Sequence, residues 1–354
     1  MKKILLSSAA IVAFAGAAAA DVDFSGTAKL GYNDVEADGF YADADFDIKM
    51  SQELNNGWTA TLKYGIELDG LKNAGTGVET FNADNNMLLS LTNDTYGFYY
   101  GNTETAAKGI WSSAGNMAND GFSEQDAEDV LKATANIAGV EAAVSAIVDP
   151  LTNESGQTSF GAKGTFGNYT VGVAYQEAGS LTIGPVTDPI TSSYTAGESD
   201  DYNAAEIFGI FASTSFAGAD VALAYAKDET EGNDSLGLNV SYPVGDVTVG
   251  AFFVSESAGD DSYGVSADYA SGPLSVSAFF ESVQGAEDKG LEGSYDAGNG
   301  LVVYAGYIES TEGYFGVEYD LGGGASVTAS YAEQDEEGDK EYNEGASLIL
   351  KLKF

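Results

Sequence analysis

Apolar and polar residues alternate with a period of two along most of the chain. In VDFSGTAKLGY, Val22, Phe24, Ala28, Leu30 and Tyr32 oppose Asp23, Ser25, Thr27, Lys29 and Gly31. In YADADFDIKMS, Ala42, Ala44, Phe46, Ile48 and Met50 oppose Asp43, Asp45, Asp47, Lys49 and Ser51. WTATLKYGIEL repeats the pattern, with Trp58, Ala60, Leu62, Tyr64 and Ile66 against Thr59, Thr61, Lys63, Gly65 and Glu67. Helical spacing fails on all three, so they predict strands with one apolar and one polar face. The chain closes on ASLILKLKF, where Leu348, Leu350, Leu352 and Phe354 alternate with Ser347, Ile349, Lys351 and Lys353. An apolar face at a free terminus invites aggregation unless its edge is covered. Pairing with DFSGTAKL at the start would cover it.

Turn signals punctuate the alternation. SYPVGD, DYASGP, SYDAGNG and EYDLGGG set Tyr242, Tyr269, Tyr295 and Tyr319 just before Gly-containing turns. ELNNG, NDTYG, IAGV, TFGN and FAGAD are further tight turns, whereas the connections between them are acidic and usually longer. Short turns at one end and longer polar loops at the other are the asymmetry of a membrane barrel. Aromatics beside the turns would form one interfacial girdle, and Tyr32, Tyr41 and Tyr307 would contribute to the other. A soluble sandwich also alternates. So many strands with small apolar residues on one face and Gly, Ser and Thr on the other favour a closed barrel with a polar lumen. Nine turns plus closure between the termini give 20 strands, and a range of 16 to 20 covers the weaker turns.

The first residues do not belong to this pattern. Lys2 and Lys3, an apolar Ile4–Ala17 and Ala18-Ala19-Ala20 read as a secretory leader cut before Asp21, rather than as a membrane anchor. This leaves 21–354 as the barrel. Loss of Lys2 and Lys3 takes the formal charge from −41 to −43. Such acidity repels nucleic acid and suits cations. Hydrophobic residues make up 44% of the chain, with 21 Tyr and 18 Phe, which argues for a folded protein despite the charge. Cys, His and Arg are absent. Disulfides, Ser-His or Cys-His catalysis and ordinary zinc sites are therefore excluded, and the reading is of a protein that is not an enzyme.

The rhythm breaks from Thr103 to Asp129. A stretch of this length without a two-residue period is a candidate constriction loop, folded into the lumen. Its acids are Glu104, Asp120, Glu124, Asp126, Glu128 and Asp129, and Trp111, Met117 and Phe122 can pack on the wall. Lys29, Lys49, Lys63 and Lys132 fall on the polar phase of their strands and would stand opposite, giving a transverse field that orients polar solutes. A second break, Glu177 to Asp201, holds Pro185 and Pro189 and reads as an external loop. Asp43/Asp45/Asp47 and Glu336/Glu337/Asp339 offer oxygen ligands that suit Ca²⁺, yet neither fits an EF-hand. Weak, non-specific ion binding is the expectation, with no metal site or cofactor assigned.

Phe166-Gly-Asn-Tyr-Thr-Val-Gly172, Tyr319-Asp-Leu-Gly-Gly-Gly-Ala-Ser326 and the terminal Lys351-Leu-Lys-Phe354 resemble the Gram-negative general porins of the alphaproteobacterial type. The likeness is strongest near 157–176 and 314–332 and looser from 178 to 313. It implies a 16-stranded trimeric barrel in the bacterial outer membrane, each subunit with its own pore narrowed by the third external loop. Its partners would be outer-membrane lipid, lipopolysaccharide and two further copies. It also makes Phe354 the end signal read by outer-membrane assembly machinery. The family constriction sets acids against a cluster containing Arg; here only Lys29, Lys49, Lys63 and Lys132 can stand in. Lys lacks the planar fork of a guanidinium, so the substitution favours cation preference. The expected function is passive diffusion of ions and small hydrophilic solutes. A substrate-specific channel and a non-conducting acidic surface barrel are the alternatives.

Overall fold

The computed structural model describes residues 20–35, 39–69, 87–124, 129–148, 155–179, 202–335 and 342–354, with backbone only at 67–69 and 129. The proposed leader, Asp126, Glu128, most of the 177–201 loop and the Glu336/Glu337/Asp339 cluster lie outside these residues. The first strands are β1 (Asp21–Asn33), β2 (Phe40–Glu53), β3 (Thr59–Asp69), β4 (Leu88–Thr92) and β5 (Tyr96–Gly101), followed by a short helix α1 (Ala106–Ile110). β6 (Asp129–Ile137), β7 (Val140–Val148), β8 (Ser155–Phe166), β9 (Tyr169–Gln176), β10 (Ile207–Phe216) and β11 (Ala219–Asp228) come next. Hairpins β12 (Asn233–Val244) with β13 (Val247–Glu256), β14 (Ser262–Ser271) with β15 (Leu274–Val283), and β16 (Ala286–Gly298) with β17 (Leu301–Ile308) follow. β18 (Glu312–Gly322), β19 (Ala325–Ala332) and β20 (Gly345–Lys353) complete the sheet.

Every strand pairs antiparallel with its neighbours in sequence, and β20 pairs back onto β1 through Thr27↔Lys353 to Asn33↔Ser347. The sheet is thus a closed 20-stranded barrel. This overturns the sixteen strands implied by family resemblance. The physical reason is visible in the hairpins around SYPVGD, DYASGP and SYDAGNG, each of which forms two paired strands. The nine turns expected from the Gly-containing motifs all lie at one end, together with both chain termini. Phe354 donates its N–H to the Gly26 carbonyl at 2.9 Å, sealing the terminal seam.

Alternation sets the two faces. Leu30, Tyr32, Phe46, Phe160, Leu236, Phe253 and Leu348 are exposed on the outer face, and their sequence neighbours point inward. An apolar exterior around a polar interior inverts the soluble arrangement and suits lipid. Among the described residues no helix is long and apolar enough to cross a membrane. Phe166, Tyr169, Phe216, Tyr242, Tyr295, Tyr319 and Phe354 ring the turn end, all exposed. Tyr32 and Tyr307 occupy the opposite rim. Phe40 takes the place expected for Tyr41 there, because Tyr41 lies on the inward phase across from Gly31 and its ring fills the space a Cβ at Gly31 would need.

Candidate functional site: the lumen and its internal loop

The third connection at the end opposite the turns runs inward instead of outward. Its first turn is α1, capped by Thr105, whose hydroxyl accepts from Lys108 N–H at 3.3 Å and donates to the Ser123 carbonyl at 2.9 Å. The opening N–H groups of a helix lack internal partners. Here Ala106 N–H donates to Ser145 Oγ at 2.8 Å and Ala107 N–H to Ser159 Oγ at 3.1 Å, both on the inner wall. Beyond the helix, Ile110, Ala114 and Met117 bury against Phe211, Ala224, Ala226 and Val254. Ala107 and Phe122 bury against Ala174 and Ile207. Trp111 packs between them, 5.4 Å from the Phe122 ring and edge-on at 5.8 Å to Phe211. The wall makes room with glycine, since a Cβ at Gly161, Gly209 or Gly237 would overlap Ile110, Trp111 or the Ala114 carbonyl.

Polar contacts hold the rest of the loop. Ala118 N–H and Asn119 Nδ2 donate to the Glu256 carboxylate at 2.9 and 3.0 Å, and Asn119 N–H donates to Ser235 Oγ at 3.0 Å. Asn116 Nδ2 reaches Glu281 at 3.3 Å. At the far end Ser123 is fully buried; its N–H donates to Gln176 Oε1 at 2.7 Å and its hydroxyl to Gln157 Oε1 at 2.8 Å. Gln157 and Gln176 in turn donate to the Asn203 carbonyl at 2.8 and 2.9 Å. The loop is therefore fixed along the wall from β7 to β15. Trp111, Met117 and Phe122 pack as expected from sequence. Ala106, Ala107, Ile110, Gln157 and Gln176 were not foreseen. A signal existed: around ALAYA (222–226) and AFFV (251–254) both strand faces are apolar, as they must be where the inner face is also covered.

The loop acids have local partners. Glu124 forms an ion pair with Lys108. Asp120 accepts from Trp111 Nε1 at 2.9 Å. Burial pushes the Asp120 carboxyl above its ordinary value, while the Trp111 bond and nearby Lys108 pull it back. Glu104 and Glu141 are the carboxylates acting on Lys132, which sits half-buried 5.4 Å from the Tyr99 ring centre. The Asp129 backbone opens β6.

The four expected lysines all take the inward phase. Lys29 pairs with Asp43 at 3.3 Å and stands opposite Lys351. Lys49 and Lys63 face each other directly on β2 and β3, exposed to the lumen, and neither forms an ion pair among the described residues. Lys163, inward on β8 and paired with Glu141 at 3.2 Å, adds a cation that sequence reasoning missed. Lys227 and Lys289 share the outward phase of Leu223 and Leu291, so among the described residues no lysine faces the lumen from β9 to β19. That sector carries Glu256, Asp268, Glu281, Asp288, Glu292 and Glu318 instead. Several of these accept from neutral donors, Asp268 from Ser277 at 2.6 Å and Glu292 from Tyr314 at 2.5 Å. Among the described residues the inward strand lysines are thus confined to β20, β1 to β3, β6 and β8, where Asp43, Asp45, Asp47 and Glu141 stand among them, while β13 to β18 carry inward carboxylates alone. Among the described residues no group of acids is arranged to hold a metal ion, and Asp45 already accepts from Thr27 at 2.9 Å.

A closed barrel with an apolar exterior, aromatic rims and a charged lumen narrowed by an inward loop defines an outer-membrane pore. The sequence profile of the Gram-negative porins matches residues 7–339, and the chain belongs to that family, which places it in the bacterial outer membrane. Solved structures of Rhodopseudomonas blastica porin share the fold. Two variants of it each align at 16% identity with TM-scores of 0.51 and 0.52, over 81% of this chain and 100% of theirs. A third, a triple mutant, aligns at 16% identity with a TM-score of 0.51 over the same shares. Curated protein sequences give no match.

Proposed function

We propose that this porin is a passive diffusion channel for ions and small hydrophilic solutes, with a preference for cations. One observation carries the reading: the loop from Thr103 to Glu124 is welded to the β7–β15 wall, so the open passage runs between it and the lysine- and carboxylate-bearing strands opposite. Charge on the two sides of that passage biases which ions enter, and the excess of acid favours cations. Glu104, the Lys108–Glu124 pair and Lys132 stand on the loop side, with Lys29, Lys49 and Lys63 on the far wall. In sequence, Asp126, Glu128 and Asp129 follow this loop and add negative charge to the connection into β6.

Residues 1–20 serve as the cleaved leader, and Phe354 as the assembly signal at the end of the seam strand. The barrel works as a homotrimer surrounded by lipid and lipopolysaccharide. Ca²⁺ association with its acidic loops is weak and non-specific, and no cofactor takes part. The function is tested by reconstituting the protein in planar bilayers. Large ohmic steps support the channel, tight and complete block of the current by one solute that others do not reproduce indicates a specific pore, and absence of conductance makes the barrel structural.

A further inference from the structure

Directly below the loop, toward the turn end, the inner wall opens into a concavity of about 340 Å³ between β9 and β12. Its lining includes Thr170, Ser213, Ser215, Asp220, Asn239 and Ser241. The inward phase of these side chains follows from the loop above them. Ser213 is two residues beyond Phe211, which meets Trp111, and Thr170 two before Gly172, which abuts Phe211. Asp220 is on the phase of Ala224, buried under the loop, and Asn239 is two beyond Gly237, which abuts Ala114. Cross-strand pairing sets Ser213 against Thr170 in one row and joins Ser215, Asp220 and Ser241 in the next, with Ala222 the one apolar side chain between Ser213 and Asn239.

The composition of this lining is unusual for the chain. It holds hydroxyls, two amides and one carboxylate, with no lysine, in a protein of 55 acids. Asp220 is not a bare charge, because Ser215 donates to it. Hydroxyls both donate and accept, and an amide does the same in a fixed plane. A solute carrying many hydroxyls matches such a surface group for group, whereas a simple ion gains little from it. We propose that this concavity is a docking site for neutral polyhydroxylated solutes, sugars of one or two rings, on the turn-end side of the loop. Several weak hydrogen bonds, each net of lost water, give the millimolar affinity that lets a solute bind and leave. This deepens the channel reading and rests on it for its physiological meaning.

The test separates the two. Maltose binding to the purified, detergent-solubilised protein is followed by saturation-transfer NMR, which does not require conduction. The wild type should bind saturably, and the S213A/N239A double variant should bind roughly tenfold more weakly through two lost hydrogen bonds. In bilayers, maltose on the turn-end side should reduce the current at lower concentration than maltose on the other side, and the double variant should lose that difference with its sugar-free conductance intact. No saturable binding by the wild type, or binding unchanged in the double variant, overturns the site. Saturable, variant-sensitive binding by a protein that passes no current supports the site and overturns the channel reading instead.

Discussion

At the residue scale, a two-residue period fixes which way a strand side chain points but not what it meets. Lys29, Lys49, Lys63 and Lys132 all face the lumen because a two-residue period admits one answer for each strand. The loop acids were less legible. Among 55 acids the nearness of any carboxylate carries little information, and only coordinates show that Glu124 meets Lys108 and Asp120 meets Trp111. Asp120 yields a pH prediction. Its folded value is raised, so the folded state holds the proton more tightly than the unfolded chain. The stability it contributes is fully present below the ordinary carboxylate range and is lost as pH rises through the raised value. In a Trp58→Phe background, Trp111 emission should change with a midpoint above that of an ordinary Asp, and Asp120→Asn should abolish the transition. A second prediction concerns the β10–β11 turn, where Ala217 is held at φ 54° ahead of Gly218. Left-handed backbone costs an L-residue about 1–2 kcal/mol, so Ala217→Gly should stabilise the barrel against urea by about 1 kcal/mol.

At the scale of elements, all nine turns read from Gly-containing motifs were found, and they count the strands better than family likeness does. The expectation of longer acidic connections at the other end fails at one place. SVQGAEDKG looks like a long acidic loop, yet Gln284 and Gly285 alone link β15 to β16, with positive φ at both. Glu287, Asp288 and Lys289 belong to a strand whose end stands beyond the apolar band, where the outer face no longer needs to be greasy. The internal loop was legible as a break in period, but its course along the wall was not, because Ser145, Ser159, Gln157 and Gln176 look like any lumen-facing polar residues. Gln176 is its most consequential anchor. Replacing it with Ala strands the buried Ser123 N–H at a cost of about 1–3 kcal/mol. Limited proteolysis should then cut between Gly115 and Ser123 far faster than in the wild type while the barrel stays intact. Equal rates would show that the apolar packing alone secures the loop.

At the scale of the whole molecule, closure, girdles and lumen follow from one period repeated twenty times, and the proposed cation preference would follow from the surplus of inward carboxylates around the circle. Among the described residues, strands near the seam mix inward lysines with Asp43, Asp45 and Asp47, strands β13 to β18 carry inward carboxylates alone, and the loop is laid over the wall between. Glu281→Gln together with Glu292→Gln should weaken cation preference, and Lys49→Gln together with Lys63→Gln should strengthen it. Both effects should be larger at low salt, where charges in a wet pore are less screened. The measurement that bears most directly on this account is the reversal potential of single wild-type channels across a KCl gradient. The account predicts a displacement toward the K⁺ equilibrium potential that grows as salt is lowered. A reversal at zero, or displaced toward Cl⁻, would contradict it.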